Sequence, residues 1–187
     1  MHIRDAVHAD IGGITEIYND AVINSTAIWN DQTVDTEDRR AWLEARQAAG
    51  FPVIVAVDET AAAGSVVIAY ATFGEWRAWD GYKHTVEHSI YVRSDQQRGG
   101  LGMQLMTELI ARARAAEKHA MIASIESGNQ GSIRLHEKLG FTTIGIFPEV
   151  GTKFGRWLDL TCMQLTLQSA ASPAEMARSA VMAVPAT

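Results

Sequence analysis

The chain has only one cysteine, Cys162, among its 187 residues. No disulfide can therefore form within the chain, and the fold must rest on a packed core. No run reaches the roughly 18 apolar residues that a membrane-spanning helix needs. Polar residues at positions 2, 4 and 5 precede any apolar segment, so we expect no secretory signal. These absences favour a cytoplasmic protein with no membrane partner.

Positive charge is also scarce. The chain has 16 Lys and Arg against 22 Asp and Glu, a net charge of −6, and no basic run. This balance argues against a nucleic-acid partner. It does not argue against a small anionic ligand, because backbone dipoles can bind one locally.

The length and an apolar fraction of 47% fit one globular domain. We expect a single domain over 1–168. The remaining residues, 169–187, are alanine-rich with two prolines, and we expect them to form a disordered tail.

Hydrophobic periodicity predicts alternating strands and helices. Their order predicts an α/β (α+β) fold with one twisted, mostly antiparallel sheet flanked by helices. Asp10 is the expected cap of the first helix, and glycines at 50 and 140 are the expected stops of two later ones. The predicted strands are 2–5, 52–57, 65–73, 84–92, 121–126, 142–147 and 156–167, and the predicted helices are 11–23, 36–49, 103–118 and about 130–139.

The most informative motif is Gln97-Arg98-Gly99-Gly100-Leu101-Gly102, which follows the apolar strand 89–92 and opens an amphipathic helix. The free N–H groups of a helix's first turn and its dipole attract anions. The glycines let backbone approach a phosphate without a Cβ in the way. The spacing is not G-x-G-x-x-G, and the Lys-Ser or Lys-Thr of a P-loop is replaced by Met103-Gln104. The motif therefore predicts a cradle for a phosphorylated ligand of another kind.

A second motif, Asn129-Gln130-Gly131-Ser132-Ile133-Arg134-Leu135-His136-Glu137-Lys138-Leu139-Gly140-Phe141, lies about 30 residues downstream. It predicts a short helix with Asn129 and Ser132 at its polar start, where they can bond an amide-rich ligand arm. Alone, it would be read as an ordinary amphipathic helix. The order and spacing of the two motifs argue against that interpretation.

Both motifs resemble those of the GCN5-related N-acetyltransferases (the GNAT superfamily), whose ligand is acetyl-CoA. Five further segments are similar to the branch that contains the phosphinothricin and methionine sulfoximine N-acetyltransferases. The similarity spans about 3–167 and implies a GNAT fold, acetyl-CoA as cosubstrate and a homodimer. The implied reaction transfers acetyl to the α-amine of a small amino acid such as methionine sulfoximine, methionine sulfone or phosphinothricin. The resemblance also implies a role in resistance. The segments are 17–22, 26–30, 74–77, 85–92 and 150–159.

The resemblance also implies the residues that contact the cofactor. Relatives often have Arg-Gly-Lys-Gly-Leu-Gly, whereas here a basic side chain is shifted by one position, which weakens a phosphate contact but leaves the backbone cradle. The backbone N–H of Tyr91 or Val92 is the implied donor to the reaction's oxyanion. The implied cofactor residues are Ile90, Tyr91, Val92, Gln97, Arg98, Gly99, Gly100, Leu101, Gly102, Met103, Asn129 and Ser132.

Glu87 and His136 are the candidate catalytic residues. Glu87 lies on the central strand, and alternation places it on one face with Ser89 while His88 and Ile90 take the other. Glu87 can act as base directly, act through a water, or only hold the substrate ammonium; without the resemblance it reads equally well as a solvated carboxylate. His136 replaces a tyrosine that protonates the thiolate in many relatives. It can serve as that acid, bond the cofactor, or pack without transferring a proton.

The expected amino-acid pocket needs a carboxylate anchor and apolar walls. Arg77 is the expected anchor because a guanidinium forks onto a carboxylate. Trp79 and Tyr82 are possible further walls, although the core or an interface explains each tryptophan equally well, and Lys153 and Arg156 can reach the substrate's polar head. The expected substrate residues are Trp29, Trp76, Arg77, Ala78, Glu87, His88 and Ser89.

Three other interpretations of the sequence concern a metal site, a peptide substrate and a non-catalytic protein. His84 and His88, with Glu87 between them, tempt a metal interpretation, but the two histidines lie about 13 Å apart on a strand, so we expect no metal. Acetylation of a peptide amine would need an open groove. A non-catalytic acyl-CoA-binding module should lack a carboxylate such as Glu87 at the amine site.

Overall fold

The computed structural model describes residues 1–60, 66–97 and 99–167. Arg98 and the expected tail at 169–187 lie outside them. The strands are β1 (His2–Asp5), β2 (Val53–Asp58), β3 (Val66–Glu75), β4 (Thr85–Val92), β5 (Ala120–Glu126), β6 (Thr142–Lys153) and β7 (Arg156–Thr166), and the α-helices are α1 (Ile11–Asn24), α2 (Thr36–Ala48), α3 (Leu101–Ala115) and α4 (Gln130–Lys138).

All seven strands form one sheet in the order β1-β2-β3-β4-β5-β7-β6. The pair β4/β5 is parallel, and the other neighbours are antiparallel. The prediction of a single, mostly antiparallel sheet flanked by helices is therefore confirmed.

The sheet is covered on both faces. On one face, Leu105 and Leu109 of α3 pack into a buried cluster with Val86 and Met121 of the central strands. On the other face, α1 and α2 pack on β2 and β3 in a second cluster that includes Ile14 and Leu43. Among the described residues, no helix combines the length and the apolar character needed to cross a bilayer.

The C-terminal ends of the helices show where local sequence is sufficient. Helix α4 ends as predicted: Gly140 takes the left-handed φ of 91°, and the Phe141 N–H donates to the carbonyl of His136 at 3.0 Å. Helix α3 ends at Ala115, three residues before the expected end. Glu117 adopts the left-handed φ of 53° there, and because no glycine marks this end, periodicity alone overran it.

Asp10 does not cap α1, and that prediction was wrong. Its carboxylate accepts two hydrogen bonds from Arg4, at 2.6 and 2.8 Å, and one from the Val7 N–H at 2.8 Å. Asp10 makes no cap bond to α1. Arg4, which binds the carboxylate, belongs to β1, and the sequence pattern around Asp10 cannot show this contact.

Strand β6 is twice as long as the predicted 142–147. Its residues are mostly exposed, and its register with β7 shifts twice, between Thr143 and Gly145 and between Phe147 and Gly151. These shifts interrupt the alternation on which strand prediction depends. The sequence signal therefore faded before the strand ended.

Packing of α1 on β3 predicts opposite effects for two neighbouring glycines. A Cβ at Gly13 would lie 2.7 Å from the Val67 Cβ, whereas a Cβ at Gly12 would meet nothing within 4 Å. We expect Gly13→Ala to lower the free energy of unfolding by about 1–3 kcal/mol. The control, Gly12→Ala, should raise it by up to about 1 kcal/mol through helix propensity. Urea unfolding of both variants checks this, and equal stability would contradict the close contact.

Candidate active site

The central parallel strands separate after a short pairing. Residues 85–87 of β4 pair with residues 120–122 of β5. Beyond this point β4 stays bonded only to β3, and β5 only to β7. Within the described residues, 88–92 of β4 therefore have no strand partner on the side of β5. Backbone groups on such an edge can bond an extended ligand as an added strand would.

The N-terminus of α3 lies beside this opening. Gly100 precedes the helix with a left-handed φ of 79°. A Cβ at Gly102 would lie 3.2 Å from the Leu135 side chain of α4 and 4.0 Å from that of Ile90. Helix α3, helix α4 and the unpaired part of β4 therefore converge at Gly102. The first N–H groups of α3 have no acceptor within the helix, so this end attracts an anion.

The structure brings the expected cofactor residues to this convergence. Residues 90–92 lie on the unpaired part of β4, and Gln97 donates to the Val92 carbonyl at 3.5 Å. The turn residues Gly99, Gly100, Leu101, Gly102 and Met103 surround the start of α3. Asn129 also has a structural task, because its Oδ1 accepts from the Ser132 N–H at 3.1 Å and caps α4.

These features fit acetyl-CoA. The helix N-terminus suits its diphosphate, and the unpaired edge of β4 suits the amides of its pantetheine arm. When bound, acetyl-CoA supplies an acetyl group activated as a thioester. The chain's own contribution would be to hold the arm along 88–92 and the diphosphate near Gly100 and Gly102.

Glu87 lies where the two strands begin to separate, on the face covered by α1 and α2. Its Oε1 accepts a 2.5 Å hydrogen bond from Ser124 Oγ of β5. Cys162 is the register partner of Ser124 on β7, and burial raises the pKa of its thiol. Sequence reasoning missed Ser124. The available signal was a polar residue inside the otherwise apolar strand 121–125.

His88 lies on the opposite face of the sheet, so the structure does not bring it together with Glu87 and Ser89. Its Nε2 is 3.0 Å from Nε2 of His136, and the rings stack at 14° with centroids 4.9 Å apart. Burial, and then the neighbouring His136, lowers the pKa of His88 to about 3. Burial also lowers the pKa of His136. No group of three or more candidate metal ligands exists among the described residues.

Trp29 belongs to the segment between α1 and α2, which crosses the sheet on the Glu87 face. Its ring lies against Gly151, where an added Cβ would be 2.1 Å away. The buried ammonium of Lys153 donates to the Asn30 carbonyl in the same segment. Arg156 is exposed at the start of β7. Trp29 and Lys153 therefore hold the segment between α1 and α2 against β6, at the edge of the sheet.

The loop after β3 does not form the closed pocket wall that we expected from the sequence. Trp76 packs edge-on against Tyr82, with centroids 5.1 Å apart, and the Arg77 guanidinium lies 5.0 Å from the Trp76 ring centre. Arg77 and Ala78 are exposed, and Trp79 is 71% exposed. Among the described residues, Trp79 therefore lines no pocket, because the loop packs on itself and leaves the ring in solvent.

Arg46 of α2 is a second guanidinium near Glu87, and sequence reasoning missed it. Its Nη1 lies 1.5 Å from where a Gly74 Cβ would stand, so it occupies the space above that glycine. Gly74 is the register partner of Glu87, and paired residues share a sheet face. Burial lowers the pKa of Arg46. Only the packing of α2 on the sheet reveals this position.

Residues 14–141 match the model of the acetyltransferase (GNAT) family. The chain belongs to this family.

Two curated relatives illustrate the similarity. An L-methionine sulfoximine/L-methionine sulfone acetyltransferase of Pseudomonas paraeruginosa is 58% identical over 88% of this chain and 94% of its own length. A phosphinothricin N-acetyltransferase of Streptomyces coelicolor is 32% identical over 86% of this chain and 92% of its own.

Two solved structures share the fold. An acetyltransferase of Salmonella typhimurium with acetyl-CoA superposes with a TM-score of 0.87 at 55% identity, covering 92% of this chain and 97% of that one. A ribosomal-protein-alanine N-acetyltransferase of Brucella melitensis has a TM-score of 0.85 at 47% identity, covering 89% and 99%.

The buried histidine pair predicts a loss of stability in acid. Both pKa values lie below the ordinary value of 6.5 in the folded state, so below about pH 6.5 the unfolded chain binds more protons. We expect the contribution of His88 to fall between pH 6.5 and pH 3, by up to about 1.4 kcal/mol per pH unit, and that of His136 to fall in the same direction below pH 6.5. Urea unfolding of the wild type, His88→Phe and the exposed control His2→Gln at several pH values checks this. An unchanged slope in His88→Phe would contradict it.

Proposed function

We propose that this chain transfers acetyl from acetyl-CoA to the α-amine of a small amino acid: methionine sulfoximine, methionine sulfone or phosphinothricin. The observation that carries the proposal is the position of Glu87 where β4 and β5 separate, in a chain 58% identical to a methionine sulfoximine and sulfone acetyltransferase. Each of these compounds has an α-amine, an α-carboxylate and a tetrahedral, oxygen-bearing head.

The amine must lose a proton before it attacks the thioester carbonyl. Glu87 is the proposed base, acting directly or through a water, or else it anchors the ammonium. Ser124 holds one oxygen of this carboxylate at 2.5 Å and so fixes its orientation. The oxyanion that forms needs a donor. We propose the backbone N–H of Val92 rather than that of Tyr91. The Arg93 N–H donates to the Ile68 carbonyl of β3, and alternate N–H groups along a strand, Tyr91 among them, point to the same neighbour. Collapse of the oxyanion breaks the C–S bond and releases the coenzyme A thiolate, which takes up the proton that the attacking nitrogen loses.

The α-carboxylate needs a cation on the same side of the sheet. Arg77 is the proposed anchor. Its exposed guanidinium packs on the Trp76 ring and has no carboxylate partner within the described part of the chain. Trp29, Trp76, Ala78 and Ser89 complete the proposed amino-acid site. Arg46, beside Gly74, is the second candidate.

A second candidate function is acetylation of a peptide amine. It is favoured by the similarity to a ribosomal-protein-alanine N-acetyltransferase and by the exposed Trp79, which leaves the loop open. The alternative of a non-catalytic acyl-CoA-binding module is disfavoured by the carboxylate of Glu87 at the split.

The homodimer is a further proposal, and exposed apolar residues on the β6/β7 hairpin support it. An apolar edge of this kind invites a second copy of the chain, and sedimentation of the wild type as a monomer would refute it. Cytoplasmic location and a role in resistance complete the proposal. The exposed hairpin residues are Ile144, Ile146, Phe147, Val150, Phe154 and Trp157.

Glu87→Gln keeps the shape and removes the charge. If Glu87 is the base, turnover of methionine sulfoximine should fall by about 10²- to 10⁴-fold. If it only anchors the ammonium, the loss should appear mainly in KM. The control is Glu75→Gln, because Glu75 is exposed at the end of β3. Steady-state thiol release measures both variants, and wild-type kinetics in Glu87→Gln would remove Glu87 from the site.

Arg77→Ala should narrow the preference for a free α-carboxylate. A lost charge-assisted hydrogen bond corresponds to about 10- to 150-fold in affinity, so the wild type should acetylate methionine sulfoximine far better than its α-amide. The measurement is kcat/KM for the acid, the amide and a short peptide, with exposed Lys83→Ala as control. An unchanged acid-to-amide ratio in Arg77→Ala shifts the role to Arg46, and a peptide as best substrate defeats the small-molecule proposal.

A further inference from the structure

The two buried histidines have opposite tautomers. Nδ1 of His136 lies 2.7 Å from the Ser132 carbonyl oxygen. A carbonyl only accepts, so His136 must carry its proton on Nδ1. In the neutral ring Nε2 is then an acceptor, and Nε2 of His88, at 3.0 Å, must be the donor. His88 is therefore protonated on Nε2 and bare on Nδ1.

This arrangement occupies both nitrogens of His136. Nδ1 donates to the helix's own backbone, and Nε2 accepts from His88. Phe141 packs edge-on against both rings, at 5.0 Å from His136 and 5.8 Å from His88. A proton donor to a thiolate would need an N–H directed away from these partners. In this structure His136 offers none.

The hydrogen bond joins the two elements beside the opening. His88 is the first residue of β4 beyond its last pairing with β5. His136 lies in the last turn of α4, whose first turn carries Ser132. The side chain of His136 is the buried anchor of that helix, with 1% exposure. The pair therefore connects α4 to β4 in the region where β4 has no hydrogen bonds to β5.

One buried acceptor is left over. Nδ1 of His88 has no hydrogen-bond partner among the described residues. An unsatisfied buried nitrogen destabilises a fold. We therefore expect the imidazole ring of His88 to have a role that offsets this cost. The bond to His136 supplies one.

We propose that His88 is a positioning residue: its Nε2–H holds His136, and with it helix α4, at a fixed distance from the unpaired edge of β4, so that the cleft for the cofactor arm is preformed. The inference rests on the proposed function only in taking acetyl-CoA as the occupant. His136 then acts by carrying α4, with Asn129 and Ser132, and not as the acid.

Nitrogen-15 NMR of the histidine rings tests the tautomers in the wild type. We expect His136 as the Nδ1–H form and His88 as the Nε2–H form at pH 7.5, assigned by comparison with His88→Gln and His136→Gln spectra. The reverse assignment, or a charged ring, would overturn the proposal. This readout is independent of any ligand and any activity.

Binding of coenzyme A without amino acid tests the positioning. His88→Phe keeps a flat ring and removes the donor, whereas His88→Gln can place an amide N–H near the position of Nε2. We expect Kd, measured by calorimetry, and KM for acetyl-CoA to rise about 3- to 10-fold in His88→Phe, with kcat changed less. Both constants should return to within about 2-fold of the wild type in His88→Gln. His84→Phe, just before β4, is the matched control.

The outcomes separate the two proposals. A wild type that fails to bind coenzyme A defeats the proposed function, while the tautomer spectra still decide the pairing. Unchanged Kd with kcat reduced about 100-fold or more in both His88 variants overturns positioning in favour of proton transfer. If His88→Phe does not fold, as judged by circular dichroism, His88→Gln and the spectra decide alone.

Discussion

The early separation of β4 from β5 is the constraint on which the rest of the site depends. Only three residues of each strand pair, and the backbone groups beyond them must find other partners. An extended, amide-rich ligand arm would satisfy that requirement. The start of α3 lies at the same opening because Gly102 packs against Ile90 and Leu135. The interruption in the sheet therefore places an unpaired strand edge beside a helix N-terminus.

Because side chains alternate along a strand, the carboxylate and the imidazoles lie on opposite faces of the sheet. Glu87 points to the side of α1 and α2, where Ser124 fixes its carboxylate. Arg46 of α2 lies above Gly74, the register partner of Glu87. His88, the next residue, points to the side of α3 and α4 and meets His136. The imidazoles stay neutral because burial disfavours their charged form.

The electrostatics of the site are local. A chain with a net charge of −6 can still hold a polyanionic cofactor, because the helix dipole and free N–H groups act over a few ångströms while distant charges are screened. The shifted basic residue of the glycine turn is therefore compatible with the cradle. The position of Arg46 beside Gly74 came instead from the packing of α2 on the sheet.

Sequence by itself determined the elements, their order and the motifs, because these depend on local rules. Glycines 50 and 140 marked helix ends, periodicity marked the strands, and the glycine turn with the Asn129 to Phe141 segment indicated the cofactor. The tertiary structure decided which side chains meet. Arg4 took the carboxylate of Asp10, Ser124 reached Glu87 from a strand 37 residues away, and His88 paired with His136 from 48 residues away. Such contacts carry no local signature, since they arise only when the sheet brings distant segments within hydrogen-bond reach.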